Sequence, residues 1–378
     1  MQERNTVACP EDAPAALALD ALRRLVAVHG PRTWTAANEE QFPAAALDAL
    51  RDAGVLRAAL PAAAGGLGWG TEPAGGEPLS QALRLLGSAS LSLGRVFEGH
   101  VNAVRLLHRC AAPAVFAQAA RDVRAGHLIG LWVTSFANPV IASLDGAHVL
   151  LTGMKDVCSG AGLATRAVIS ALDAAGVENL AYVDATQAEP LPDRKLDMHG
   201  MRATETMAVR VHMRVAPAAV FGRPGDYMRE PDFSAGAWRT SAVTMGGLEA
   251  LVAEATAQLA ARGRHRDPHQ QARLGHMLMA RQTGLLWLDA VVSMAEADDP
   301  HPGRTAAFAN LARLAVERVC LEVIPLVQRS LGLAAMQRGN PAERLIRDLS
   351  TYLRQPAGDE VLAVAAAWFV DNGADLTA

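Results

Sequence analysis

The sequence predicts an α+β multi-domain chain in three parts: an N-terminal helical domain, a middle antiparallel β-barrel domain and a C-terminal four-helix bundle. Two observations carry this. Apolar residues recur at helical spacing up to about residue 125, break into short strand-like runs after Gly126, and return to helical spacing from about Trp238 onward. Clusters of Gly, Pro and Asp stop the helices and separate the strands. The domain boundaries that follow are 1–125, 126–230 and 231–378.

Each part has its own pattern. ALALDALRRLVAVHG is amphipathic and is stopped by Gly30-Pro31, and AAALDALRDAGVLRAAL repeats the pattern before Pro61. PLSQALRLLGSASLSLGRVFEGHVNAVRLLHRC reads as one or two buried helices loosened by Gly and Ser. HLIGLWVTSF, AHVLLTG, ATRAVISAL, NLAYVDA and MAVRVHMRVAP are rich in Val, Ile and Thr, and their short spacing predicts a compact antiparallel barrel or sandwich. Four helices follow: SAVTMGGLEALVAEATAQLAARG, HQQARLGHMLMARQTGLLWLDAVVSMAEA, RTAAFANLARLAVERVCLEVIPLVQRSLG with Pro325 inside it, and one around ERLIRDLSTYLR that continues past Pro356.

Composition narrows the function. The chain has 378 residues, 51% of them hydrophobic, and a net charge of −4, which gives no electrostatic case for nucleic acid. Only Lys155 and Lys195 are lysines, so arginine supplies nearly all the positive charge. Cys9, Cys110, Cys158 and Cys320 are far apart and form neither a C-x-x-C pair nor a zinc-spaced cluster, so reduced thiols and no metal are expected. The polar start MQERNTVACPEDAP predicts no signal peptide, and Arg, Asp or Gly interrupts the most apolar runs, so a cytoplasmic chain without a membrane span is expected.

Five stretches, at places that fit the predicted order of elements, resemble the acyl-CoA dehydrogenase superfamily. LPAAAGGLGWG resembles its Gly-Gly-Leu-Gly turn between early helices. Trp132-Val133-Thr134 looks like its first barrel strand, and the resemblance implies that the Thr134 hydroxyl bonds the flavin's pyrimidine edge. LLTGMKDVCSGAGLATRAVISA is similar to its strand–turn–strand, which implies that Val157, Cys158 and Ser159 lie beside the flavin ring, with the Ser159 hydroxyl near N5 or O4. HGMRATETMAVRVHMRVAPAAVF looks like the closing strands, with Arg202, Thr204 and Thr206 at the polar positions. QRSLGLAAMQRGNPAERLIRD matches the family at Gly332, Pro341, Glu343, Arg344, Arg347 and Asp348, while Leu333 replaces a second glycine where the cofactor's ADP approaches the backbone. Without the resemblance, Thr134 is a threonine on a half-buried strand and the polar closing residues form a solvated strand face.

The resemblance also exposes a gap. The family's catalytic Glu, about eight residues after the Arg-Asp pair, aligns with Pro356, which cannot titrate. The minority position, just before an Arg on the first bundle helix, aligns with Trp238 before Arg239. Asp359 and Glu360 are the nearest carboxylates to the first position. Trp238, Arg239 and His100 are the residues the resemblance places near substrate, although His100 can equally be a histidine bonded in the interior. The leading expectation is therefore an acyl-CoA dehydrogenase-like oxidoreductase acting on CH–CH groups of an acyl-CoA or a carrier-bound acyl thioester. The alternatives are a flavin-dependent monooxygenase of the same fold using reduced flavin and O2, and a catalytically inactive flavin-binding partner protein. The resemblance implies FAD, with FMN as the alternative, an electron acceptor flavoprotein or a flavin reductase as partner, and a homodimer or homotetramer.

Overall fold

The computed structural model describes residues 13–38, 40–297 and 301–373. Cys9 and the polar N-terminal stretch lie outside the described residues. Before the sheet come α1 (Ala13–His29), α2 (Ala44–Asp52), α3 (Gly76–Ala89), α4 (Leu91–Cys110) and α5 (Pro113–Arg124). The Leu-rich run is thus two helices. Ser90 divides them: its backbone is extended and its side-chain oxygen accepts the Leu93 N–H at 3.4 Å, capping α4.

The strands are β1 (Ile129–Trp132), β2 (Ile141–Asp145), β3 (His148–Cys158), β4 (Arg166–Leu172), β5 (Glu178–Asp184), β6 (Glu189–Lys195), β7 (Met207–Val215) and β8 (Val220–Phe221). They form one mixed sheet in the order β6-β7-β3-β2-β4-β5-β8, with β1 also on β4. The expected β domain is present between the two helical regions, but the antiparallel barrel is neither closed nor wholly antiparallel. The end strands β6 and β8 do not pair with each other, and both β1 and β2 run parallel to β4. The reason is local. β1 and β2 lie along the same side of β4, pairing Trp132 with Ile169 and Ile141 with Leu172, as two halves of one strand line broken by residues 133–140. β2, β6 and β8 have no clear signature: β2 is largely exposed, β6 carries Pro190 and Pro192 as an edge strand can, and β8 has two residues.

After the sheet come α6 (Asp232–Ala235), α7 (Ala237–Ala261), α8 (Pro268–Glu296), α9 (Pro302–Leu331), α10 (Pro341–Tyr352) and α11 (Gly358–Asn372). The expected fourth bundle helix is two helices. The chain stops at Tyr352, passes Pro356, and restarts after Ala357 at φ +57°. The α9 region is apolar enough to span a membrane by length and composition, with a mean hydropathy of 1.4 over its best window, but the helix is packed between α7, α8 and α11 as a bundle helix. α3 and α7 approach through glycine. A Cβ at Gly87 would lie 2.1 Å from the Val243 carbonyl oxygen, and one at Gly246 would lie 2.0 Å from that of Arg84.

Candidate active site between the sheet and helices α4, α7 and α10

The break in the β1–β2 line leaves residues 133–139 off β4, whose Leu172 N–H picks the line up again at Val140 O at 2.8 Å, and β3 bonds the segment between. Thr134 O accepts the Asp156 N–H at 2.9 Å, and Asn138 O accepts that of Met154 at 2.9 Å. Ser135 Oγ donates to Met154 O at 2.8 Å, and the Phe136 N–H donates to Asp156 Oδ2 at 2.7 Å. Beneath them the buried Lys155 Nζ donates to Val133 O at 3.2 Å and to Ser170 Oγ at 2.8 Å. Burial pulls the Lys155 ammonium down to about 8. Lys155 and Asp156 thus replace a missing strand ladder with a clamp on the Thr134 segment.

Directly after this clamp the β3–β7 register shifts between Lys155 and Cys158, a bulge that re-aims the turn carrying Val157 and Ser159. Trp132 is 1% exposed, and its indole N–H donates to Ser159 O at 3.2 Å. The indole of Trp132, expected from the resemblance to be a cofactor-binding residue, therefore holds the Ser159 turn in place. Cys158 is buried, and burial raises its thiol well above the usual range, so it stays protonated and donates to Lys155 O at 3.5 Å. Val157 and Ser159 are half-buried, and Thr134 is exposed just beyond the end of β1. Ser159 Oγ accepts from Thr206 Oγ1 at 3.4 Å, while Thr204 Oγ1 donates to Ser92 Oγ at 2.9 Å and so ties the turn region to the start of α4. Two segments bearing free-rotating hydroxyls, Thr134 and Ser159, are thereby tied together, and both can bond ring nitrogens or oxygens.

Among helices α4, α7 and α10 a carboxylate is buried. Glu98 on α4 is 3% exposed and accepts four bonds. Oε1 takes Asn102 Nδ2 at 2.8 Å and Thr240 Oγ1 of α7 at 3.1 Å. Oε2 takes Arg95 at 2.9 Å and Tyr352 Oη of α10 at 3.1 Å. Burial and the Glu98 charge push the Tyr352 hydroxyl well above its usual range, so it remains a donor. Asn102 Oδ1 in turn accepts Arg239 Nε at 2.5 Å. The Trp238 indole N–H donates to Glu296 Oε1 at 3.2 Å, and Glu296 Oε2 takes Arg105 at 3.4 Å. Burial lowers Arg239 to about 10, with Arg105 adding to the effect, so it remains a cation. The sequence reading missed Glu98. The available signal was a lone Glu inside an apolar helix, three residues after Arg95.

The remaining predicted residues lie elsewhere. Asp359 and Glu360 are exposed in the first turn of α11, and Pro356 is exposed with its carbonyl near Arg313. Neither carboxylate enters the interior. His100 is fully buried, its Nε2 donates to Leu56 O at 3.0 Å, and its Nδ1 accepts the Ile129 N–H at 3.0 Å. With both nitrogens bonded to backbone it fastens α4 to β1 and has none left for substrate. Gly332 ends α9 at φ +63° with open space around it, and Leu333 is 85% exposed. Two clefts elsewhere, of about 700 and 670 Å³, lie against α3, and none of the predicted cofactor residues lines either of them.

Comparison with known proteins adds the following. No protein-family model matches the sequence, and no curated protein matches it. Solved structures do match. Dibenzothiophene monooxygenase TdsC from Paenibacillus sp. A11-2 superposes with a TM-score of 0.82 at 22% identity, over 94% of this chain and 97% of that one. KijD3 in complex with FMN and a dTDP-amino-keto sugar gives 0.81 at 21% identity, over 96% and 95%. Butyryl-CoA dehydrogenase from Megasphaera elsdenii gives 0.80 at 15% identity, over 97% and 99%. The chain has the acyl-CoA dehydrogenase fold. Ser159 is bonded through its carbonyl to Trp132 at the end of β1, and the Glu98 network joins α4, α7 and α10.

Proposed function

We propose that the chain is a flavin-dependent oxidoreductase that uses reduced flavin and O2 to oxygenate a small molecule. One observation carries the choice over thioester dehydrogenation: no carboxylate is free to act as a base at either place where the resembled family carries one. Pro356 and Trp238 stand at those places, and Asp359 and Glu360 are exposed on α11. Glu98, the interior carboxylate, already accepts four hydrogen bonds, from Arg95, Asn102, Thr240 and Tyr352. In this reading Thr134 and Ser159 hold the flavin ring edge, Val157 and Cys158 flank it, and Gly332 lies near its tail. Trp238 and Arg239 wall the substrate side.

The chemistry a reduced flavin held by Thr134 and Ser159 would supply is two electrons to O2, with one oxygen atom going to the substrate and the other, with two protons, to water. The chain's own residues hold the ring edge, keep the Tyr352 proton in place and exclude water from the interior. FMN is favoured over FAD. TdsC and KijD3 have been solved with FMN, and Leu333 stands where the resembled family brings ADP against a glycine. The required partner is a flavin reductase. A homodimer or homotetramer fits the exposed Leu278, Met279 and Leu286 on α8.

Thioester dehydrogenation is the second reading. It is favoured by the likeness to butyryl-CoA dehydrogenase and by the position of Glu98 between α7 and α10. One pair of assays separates the two. Oxygen uptake with NADH, a flavin reductase and indole, without turnover of butyryl-CoA by an artificial acceptor, supports oxygenation. Butyryl-CoA turnover that disappears in Glu98→Gln overturns it.

A further inference from the structure

Three helices border a cleft of about 700 Å³ that the flavin reading does not use. It lies between α1, the link that follows it, α3 and α7. On α3 its wall is Gln81, Arg84, Leu85 and Ser88, which recur at helical spacing and so form one stripe. The apolar part of the lining is Val26 and Ala27 of α1, Leu85, and Ala250 and Ala253 of α7. The short alanine side chains keep the space open, and a cleft of this size takes a drug-sized ligand.

Charge narrows the class of ligand. The cleft is edged by three arginines, Arg23, Arg32 and Arg84, and by two glutamates, Glu249 and Glu254. Adding their ion-pair partners outside it, Arg281 and Asp20, gives four cations and three carboxylates, so one positive charge is in excess on either count. Both glutamates are occupied. Glu249 Oε1 accepts from Arg84 at 2.8 Å and from Arg281 at 2.7 Å, and its Oε2 accepts from Arg84 Nε at 3.0 Å. Glu254 accepts from Gln258 at 3.0 Å and from Arg32 Nε at 3.4 Å. The arginines keep spare donors. Among the described residues Arg84 Nη1 and both terminal nitrogens of Arg32 make no hydrogen bond, and the two side chains are 25% and 73% exposed. A ligand cation would meet carboxylates already paired, whereas an anion meets open N–H groups.

We propose that this cleft binds an amphipathic monoanion, a carboxylate on an apolar body, with the carboxylate beside Arg84 and the body over Ala250 and Ala253. Arg84 is the seat rather than Arg32 because it is less exposed, so water and salt screen its charge less. The proposal stands apart from the flavin reading, since no residue assigned to the flavin lines the cleft.

The test is calorimetric and needs no turnover. Octanoate, octan-1-ol and octylammonium are titrated into the full chain. Octanoate should bind about tenfold tighter than the alcohol, and octylammonium more weakly than either. Ala253→Trp, at an exposed position, should fill the cleft and remove octanoate binding without changing the melting curve by circular dichroism. Arg84→Gln should bring octanoate down to the level of the alcohol. If Arg84→Gln does not fold, the order of the three ligands and the Ala253→Trp result decide. No octanoate binding at millimolar concentration, equal or tighter binding of the alcohol or the amine, or undiminished octanoate binding in folded Ala253→Trp overturns the proposal. So does sedimentation in which the unaltered chain associates and Ala253→Trp does not, because the cleft would then be a face between two copies.

Discussion

Tyr352 donates its hydroxyl to Glu98 Oε2 at 3.1 Å although the two residues lie 254 positions apart in the chain. The bond joins α10 to α4 inside the helical core, and Arg95 shares the same oxygen. Glu98→Gln removes the anion that Arg95 and Tyr352 were placed to meet. The Arg95 side chain is 31% exposed, so water offsets part of the loss. A cost of about 2 kcal/mol is expected, below the roughly 3–5 kcal/mol of a fully buried pair. Tyr352→Phe should cost about 1–2 kcal/mol for one bond to a charged acceptor. Urea unfolding of both variants and of the double variant measures the coupling; strictly additive losses would contradict a shared network.

His100 should make the protein sensitive to mild acid. Burial lowers its imidazole from 6.5 to about 4 in the folded chain. Above 6.5 neither folded nor unfolded His100 holds the extra proton, and below about 4 both do. In between only the unfolded state does, so His100's contribution is full above 6.5 and is lost as pH falls towards 4. The loss is on the order of 3 kcal/mol. Unfolding midpoints at pH 7.5 and 4.5 should differ less in His100→Gln than in the unaltered chain. The same difference in both would exclude His100 as the source.

The Ser159 turn and the Thr134 segment should respond to different substitutions. Ser159→Ala and Thr134→Ala each remove one hydroxyl from the proposed ring edge, and each should weaken FMN binding by about tenfold, close to one hydrogen bond of about 1.4 kcal/mol. Trp132→Phe keeps an aromatic but loses the N–H to Ser159 O, so it should weaken FMN binding without touching the ligand. Fluorescence titration of FMN checks all three, and unchanged affinity in Ser159→Ala removes that residue from the site.

Asp359→Asn and Glu360→Gln should leave any oxidation or oxygenation rate within about twofold, because both side chains are exposed in the first turn of α11. A large loss in either would return the missing-base question to the α10–α11 link.

Much of this arrangement is legible in sequence because it depends on period and punctuation. The buried faces of α3, α4 and α7 repeat at helical spacing, and the Val- and Ile-rich β4, β5 and β7 stand out against them. The open sheet is not legible, since it depends on which strand lies beside β4, a long-range choice that neither β1 nor β2 encodes alone. The helix break after Tyr352 was announced by Pro356 but read as a continuation. Thr134 and Ser159 enter as candidates through resemblance alone, and the bonds of Ser159 to Trp132 and Thr206 are long-range contacts that the sequence does not encode. The packing of the Trp132 indole over Gly130, where a Cβ would fall 2.7 Å from the ring, has no signature in the sequence. Glu98 escaped because its partners, Thr240 and Tyr352, lie 142 and 254 residues away.

The break between β1 and β2 has a consequence for how such a chain can change over time. Each half-strand is registered on β4 independently, at Trp132–Ile169 and at Ile141–Leu172. Residues inserted or deleted between Phe136 and Pro139 therefore do not slide either half, and the sheet need not be rebuilt when the segment changes length. The link can be rewritten while the strands on either side stay fixed. Loop exchange at this link between proteins of this fold should thus be tolerated with little change in whether the chain folds.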